Sequence, residues 1–224
     1  LDAYPMSLAD LVARGRLYSL LGDYDNAIRD FDSALAIRVT DHNVFFYRGR
    51  AFDLLGNKAQ AIEDYEDALL LNPNNPIIHN LKGVAHSYLG ESEDAVFSYT
   101  IAIQISPNPT IYVNLGYELY LQGKYEEAVL QFDRAISLQP DLQGAFRKRG
   151  LTYFALGRPS CAVADFTKCL ELDPTDGLSF RYRGEVYSSQ GEYVHALNDF
   201  DNTLRLDPQS SVGYLKRGAL YSNL

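Results

Sequence analysis

From Gln143 to Asp176 the chain reads QGAFRKRGLTYFALGRPSCAVADFTKCLELDPTD, and this stretch decides the fold because its landmarks return along the whole sequence. Gly150 belongs to the series Gly15, Gly49, Gly83, Gly116, Gly150, Gly184 and Gly218, spaced by 34 residues except for one interval of 33 before Gly116. Gly157 belongs to a second series, Gly22, Gly56, Gly90, Gly123, Gly157 and Gly191, seven residues behind the first. The two series take thirteen of the sixteen glycines, so a repeating architecture, not scattered turns, places this residue. Five residues after each second glycine stands an alanine, Ala27, Ala61, Ala95, Ala128, Ala162 or Ala196, and four residues later an aromatic, Phe31, Tyr65, Tyr99, Phe132, Phe166 or Phe200. Residues four apart share one helical face. Pro73, Pro107, Pro140, Pro174 and Pro208 close five of the units.

Each unit therefore reads as two helices. Apolar side chains at helical spacing, such as Phe45, Phe52 and Leu55, surround the first glycine. Glycine costs a helix interior about 1 kcal/mol against alanine, so its recurrence there implies a close helix contact. The second glycine ends the first helix, where a left-handed residue is commonly required. The second helix runs to the proline, which cannot continue it; in the first unit Val39 stands in that place and Thr40-Asp41 must make the break. Ser7-Leu8-Ala9-Asp10 reads as a capping box opening the first helix. The expected organisation is a lead-in at 1–7, repeats at 8–41, 42–75, 76–108, 109–142, 143–176 and 177–210, and a partial repeat or capping helix at 211–224. Stopping at Tyr221-Ser222-Asn223-Leu224, partway through a repeat, implies a longer natural protein or a truncated form.

Leu-Gly-X-X-Tyr, Ala-X-X-X-Phe and a closing proline at this period resemble the tetratricopeptide repeat, with Leu115-Gly116, Tyr153, Ala162, Phe166 and Pro174 in the motif's places. The resemblance spans residues 8 to 224. Its tryptophan place holds Leu11, Phe45, His79, Tyr112, Phe146, Phe180 and Tyr214, and Cys169 and Thr203 replace the second alanine. The resemblance implies an all-α solenoid of antiparallel helix pairs, wound as a right-handed superhelix, with the first helix of each pair lining a concave groove. Stability in such an array comes from contacts between neighbours.

Comparing the repeats with one another suggests an ion pair. Arg14, Arg48, Arg149 and Arg183 precede the first glycine where Asp30, Asp64, Asp165 and Asp199 follow sixteen residues later; where the third and fourth repeats hold Lys82 and Leu115, they hold Ser98 and Gln131. Each arginine is expected to pair with the aspartate of its own repeat. The alternative is that both are independently chosen solvent charges.

Composition excludes several classes. Hydrophobic residues make up 46% and charged residues 22%, which is globular usage. No apolar run approaches the roughly 18 residues of a membrane span, and the opening Leu-Asp-Ala-Tyr-Pro lacks the features of a signal peptide. Cys161 and Cys169 have no metal-type spacing, and no glycosylation sequon occurs, so a cytoplasmic or nuclear location is expected. Twenty Lys plus Arg stand against 29 Asp plus Glu, a net of −9, which disfavours nucleic acid as a partner. His42, His79, His86 and His195 lie in different repeats without a zinc motif and read as helix-face residues. Both cysteines read as buried thiols, and Asp30 with Asp32 or Glu126 with Glu127 as solvated surface. No phosphate loop, nucleophile elbow or dinucleotide fingerprint occurs, so neither enzyme activity nor a cofactor or metal is expected.

Binding is the better-supported function. By the family resemblance the groove stripe in the second repeat is Asn43, Phe46, Tyr47, Arg50, Asp53 and Leu54. Across seven first helices this stripe carries Arg16, Arg50, Arg147, Lys148, Arg181 and Lys216 against Asp53 and Glu185, a local +4 that leaves −13 elsewhere. A basic groove on an acidic body would draw anionic ligands inward. The candidate groove residues are those six cations with Phe46, Tyr47, Asn80, Tyr88, Asn114, Tyr117, Tyr120, Phe154 and Tyr182. The rings have an alternative role as filler between repeats, and the cations as snorkelling surface charges. The family's carboxylate clamp is poorly matched: Asn114 and Lys148 fit, but Val84 and Gly144 do not. Two functions stand: a scaffold binding an acidic or amphipathic peptide segment, and a structural or targeting module that self-associates through its terminal helix around Val212, Tyr214 and Leu215.

Overall fold

The computed structural model describes residues 6–38 and 40–221; the readings made at 1–5, at Val39 and at 222–224 lie outside them. Among the described residues there are thirteen α-helices and no strand. They are α1 Leu8–Leu20, α2 Tyr24–Ile37, α3 His42–Leu55, α4 Lys58–Leu71, α5 Pro76–Leu89, α6 Ser92–Ile105, α7 Pro109–Leu121, α8 Tyr125–Leu138, α9 Gln143–Ala155, α10 Pro159–Leu172, α11 Gly177–Ser189, α12 Tyr193–Leu206 and α13 Ser211–Tyr221. They divide into two compact units, one ending at Pro107 with α1 to α6 and one starting at Asn108 with α7 to α13. Within each unit, consecutive helices pack in pairs.

Local chemistry sets the ends. Ser7 and Asp10 form the capping box, and Asp23, Asp41, Asn75, Asn108 and Asp176 cap later helices through their side chains. Gly56 ends α3 at φ 93°, a conformation a side chain rarely adopts, and the other five second glycines share that sign. Pro73, Pro107, Pro140, Pro174 and Pro208 each stand just past a second helix.

The first glycines have the packing reason the sequence implied. A Cβ on Gly49 would stand 3.0 Å from Tyr65, and one on Gly116 2.7 Å from Phe132. The aromatic of each second helix thus closes over the glycine of its partner, and these rings with Ala27, Ala61, Ala128 and their equivalents are buried. Cys169 and Thr203, in the second alanine's place, are also buried. Leu55, expected with Phe45 and Phe52 around the glycine, is instead exposed at the last residue of α3.

The predicted ion pairs form. Nε and Nη2 of Arg14, Arg48, Arg149 and Arg183 donate to the two carboxylate oxygens of Asp30, Asp64, Asp165 and Asp199 at 2.6–2.9 Å. These aspartates are buried, which corrects the reading of Asp30 as solvated surface. The opposite edge of the guanidinium reaches back one repeat: Nη1 of Arg48 donates to Asp32, that of Arg149 to Asp133 and that of Arg183 to Thr167. Asp32, also read as solvated, is exposed but paired. Three of the four forks therefore tie together two repeats, which no single repeat reveals.

Candidate functional site

In the first unit, α1 and α3 leave a cleft of about 240 Å³ lined by Arg16, Ser19, Leu20, Phe46, Tyr47, Arg50, Ala51 and Leu54. Tyr47 is half-buried because its ring stacks on the buried Phe31 of the preceding repeat, with centroids 6.1 Å apart. Phe46 leans on Tyr47 at 5.3 Å. The Arg16 guanidinium lies over the other part of this cluster, 4.8 Å from the Tyr47 ring centre. Among the described residues no carboxylate forms an ion pair with Arg16 or Arg50, and both are exposed. Leu20 and Leu54 leave the rim apolar and open. Asp53, counted in the stripe, is removed from this balance by Lys58, whose Nζ donates to its carboxylate at 2.6 Å. Lys58 also lies 4.9 Å from the ring centre of Tyr88, which is 72% exposed. Asn80 is half-buried on α5.

The second unit holds its cations differently. Arg147 donates to Asp176 at 2.9 Å, a buried cap residue that also accepts from Gln143 and Ser179. Arg181 meets Glu185 at 3.3 Å and Lys216 meets the same carboxylate at 3.5 Å. The cluster in the fifth and sixth repeats is therefore largely neutralised from within, by Asp176 and Glu185. Lys148 differs: its Nζ sits 3.5 Å over the Tyr117 ring, and burial followed by the neighbouring Arg147 charge lowers its ammonium below the usual lysine range. Tyr117 stacks on Tyr120 at 6.1 Å, and Tyr120 meets Tyr125 at 5.5 Å. Tyr182 stacks on the buried Phe166 at 5.8 Å, and Phe154 packs on the same cluster, so these two rings fill space between repeats. Asn114 is half-buried on α7.

Other groups depart from the sequence reading. Cys161 is exposed, because it precedes Ala162 on α10 and points away from the face shared by Ala162, Asp165, Phe166 and Cys169. Cys169 is buried, which pushes its thiol up to about 11. His86 is buried, with Nδ1 2.6 Å from Glu91. Among the described residues no helix is long and apolar enough to cross a membrane.

Family models described as tetratricopeptide repeat match residues 42–75, and residues 11–38 and 148–176; one described as TPR repeat matches 116–157. Together they cover more than half of the chain. The chain belongs to the tetratricopeptide repeat family. No curated protein matches this repeat chain in sequence. Among solved structures it resembles PilW, a type IV pilus biogenesis factor (TM-score 0.79, 17% identity, 96% of this chain and 98% of that one covered). It also resembles the C-terminal part of a repeat protein from Cytophaga hutchinsonii (0.77, 20%, 94% and 87%). A third is YrrB, described as a tetratricopeptide repeat protein with an unusual peptide-binding site (0.70, 18%, 84% and 97%). At these identities the likeness is one of fold. What the repeat motif did not disclose was which stripe cations keep a free charge, since Asp176 lies 29 residues from Arg147 and outside the stripe.

Proposed function

We propose that this tetratricopeptide repeat chain is a non-catalytic interaction scaffold that binds an acidic or amphipathic peptide segment, with the cleft between α1 and α3 as its principal contact. The observation that carries the reading is the pairing of Phe46, Tyr47, Leu20 and Leu54 with two guanidinium groups, Arg16 and Arg50, that no described carboxylate neutralises. An apolar side chain of the partner fills the cleft, and a carboxylate beside it meets either arginine, a geometry suited to two-pronged hydrogen bonding. Lys148 over Tyr117, with Asn114 on the same helix as that ring, supplies a second, independent cationic point in the other unit. The proposed partner is a protein; the compartment is one in which thiols stay reduced.

The test is binding of labelled acidic amphipathic peptides to the full chain, alongside the same peptides with carboxylates replaced by lysine. The Arg16→Glu, Arg50→Glu double variant should weaken the acidic peptides about tenfold or more, while Arg29→Glu on α2 leaves them unchanged. Equal losses at both places, or equal binding of the lysine peptides, would overturn the reading. The second reading, self-association, finds its surface on α13, where Tyr214 and Leu215 are exposed.

A further inference from the structure

The turn between α5 and α6 has the backbone of its counterparts but different side chains. The amide of Glu91 donates to the carbonyl of His86 at 2.9 Å, as that of Asn57 does to Phe52 and that of Glu192 to Tyr187, so each of the six turns sets the same two positions side by side. The other five repeats fill the first of these positions with Tyr18, Phe52, Leu119, Tyr153 or Tyr187; the third alone has an imidazole there. His86 is buried, 8% exposed, and its Nδ1 points at the Glu91 carboxylate 2.6 Å away. Glu91 is the N-cap residue of α6 yet makes no capping hydrogen bond with its side chain. Asp94, one turn further on, brings its carboxylate within 4.8 Å of both. In the first, second and sixth repeats the side chains at the Glu91 and Asp94 positions bond to each other as donor and acceptor: Asn26 with Asp23, Asn57 with Gln60, His195 with Glu192. The third repeat sets two carboxylates there instead, and among the described residues no lysine or arginine forms an ion pair with either. Two like charges converging on a buried ring nitrogen are best joined by a cation.

We propose that His86, Glu91 and Asp94 bind a divalent transition-metal ion of the zinc class. One imidazole nitrogen with two carboxylate oxygens suits Zn2+, whereas Mg2+ and Ca2+ take oxygen ligands alone. The buried ring is the fixed ligand: Nδ1 offers its lone pair and the ring proton sits on Nε2. The two carboxylates are exposed and close the remaining distance by side-chain rotation, since ligands around one tetrahedral Zn2+ stand about 3.4 Å apart. Water completes the shell. The ion ties the last turn of α5 to the first turn of α6 in a repeat that has no Arg–Asp fork, because Lys82 turns to Glu66 of the preceding repeat at 2.6 Å and Ser98 stands in the aspartate's place. The site is separate from the α1–α3 cleft and stands or falls without it.

The test is calorimetric titration of ZnCl2 into the full chain, first stripped of metal with a chelator. One saturable site is expected, weakened about tenfold or more by His86→Phe, which installs the residue the second repeat holds at that place. Asp94→Asn and Glu91→Gln should each weaken it as much, and both change exposed side chains whose loss leaves the chain folded. Zn2+ should raise the urea midpoint of the parent chain by more than that of Asp94→Asn. The Cys161→Ser, His195→Asn double variant, which removes the exposed thiol and an exposed imidazole elsewhere, should bind Zn2+ as the parent does. Mg2+ at the same concentration should give no such site. The absence of a saturable Zn2+ step overturns the proposal. So does a step that survives both Asp94→Asn and Glu91→Gln, one that is lost with Cys161 and His195, or one that Mg2+ reproduces.

Discussion

Tyr65 shows how one atom is tolerated inside a repeat. Four of the six equivalent positions are phenylalanine, and the ring packs on Gly49 just as those phenylalanines pack on their glycines. Its hydroxyl is buried with no hydrogen-bond partner among the described residues, and that burial raises the phenol well above the usual tyrosine range. A buried unpaired hydroxyl costs about 1–3 kcal/mol, whereas the ring itself fits. Tyr65→Phe is therefore expected to stabilise the chain by about 1 kcal/mol. The measure is a higher urea midpoint at unchanged slope; a lower midpoint would mean that the hydroxyl has a partner. A methyl on Gly49 beneath it would stand 3.0 Å from the Tyr65 ring and from Cβ of Asp64, so the ring would have to give by a few tenths of an ångström.

At the scale of the element, four helix pairs are fastened by an Arg–Asp fork, and in three of them the same arginine also reaches the preceding repeat. Arg149 holds Asp165 through Nε and Nη2 and Asp133 through Nη1. The carboxyl of Asp165 lies above the usual range because burial outweighs the help Arg149 gives. Arg149→Leu strands that carboxylate and should cost about 3–5 kcal/mol at neutral pH. The fourth repeat carries Leu115 and Gln131 at these two places, with Leu115 buried, so adding Asp165→Gln should recover most of the loss. The pH dependence follows from the sign of the shift. In the folded variant the carboxyl titrates above its unfolded value, so the folded state binds the extra proton in that window and stability rises as pH falls through it. The single variant's deficit is therefore largest near neutrality and shrinks on acidification, whereas the double variant shows no such recovery. Chemical unfolding at several pH values measures both.

At the scale of the whole molecule, a net charge of −9 meets a small number of local positive points. Within the groove stripe these are Arg16 and Arg50 in the first unit and Lys148 over its tyrosine in the second. The long-range field repels polyanions while short-range contacts select a carboxylate set beside an apolar group. Binding of an acidic peptide should consequently weaken several-fold as salt is raised from about 0.05 to 0.5 M, and duplex DNA at about 0.15 M salt should give no mobility shift. A DNA complex at that salt would count against the charge argument.

The sequence by itself determined the period, the helix pairs, the left-handed glycine at each turn, the covered glycine in the first helix of each complete repeat and the Arg–Asp fork. The contacts among these join residues within one repeat, where a two-helix hairpin of fixed length brings positions 16 apart together whatever surrounds it. Only the tertiary structure decided which groove cations keep their charge, that Cys161 faces out and His86 in, and that Tyr47 and Tyr182 rest on rings of the preceding repeat. Several of those outcomes depend on how one repeat stacks on the next. Arg147 and Asp176, 29 residues apart, meet only because of that stacking, and no repeat taken singly encodes it.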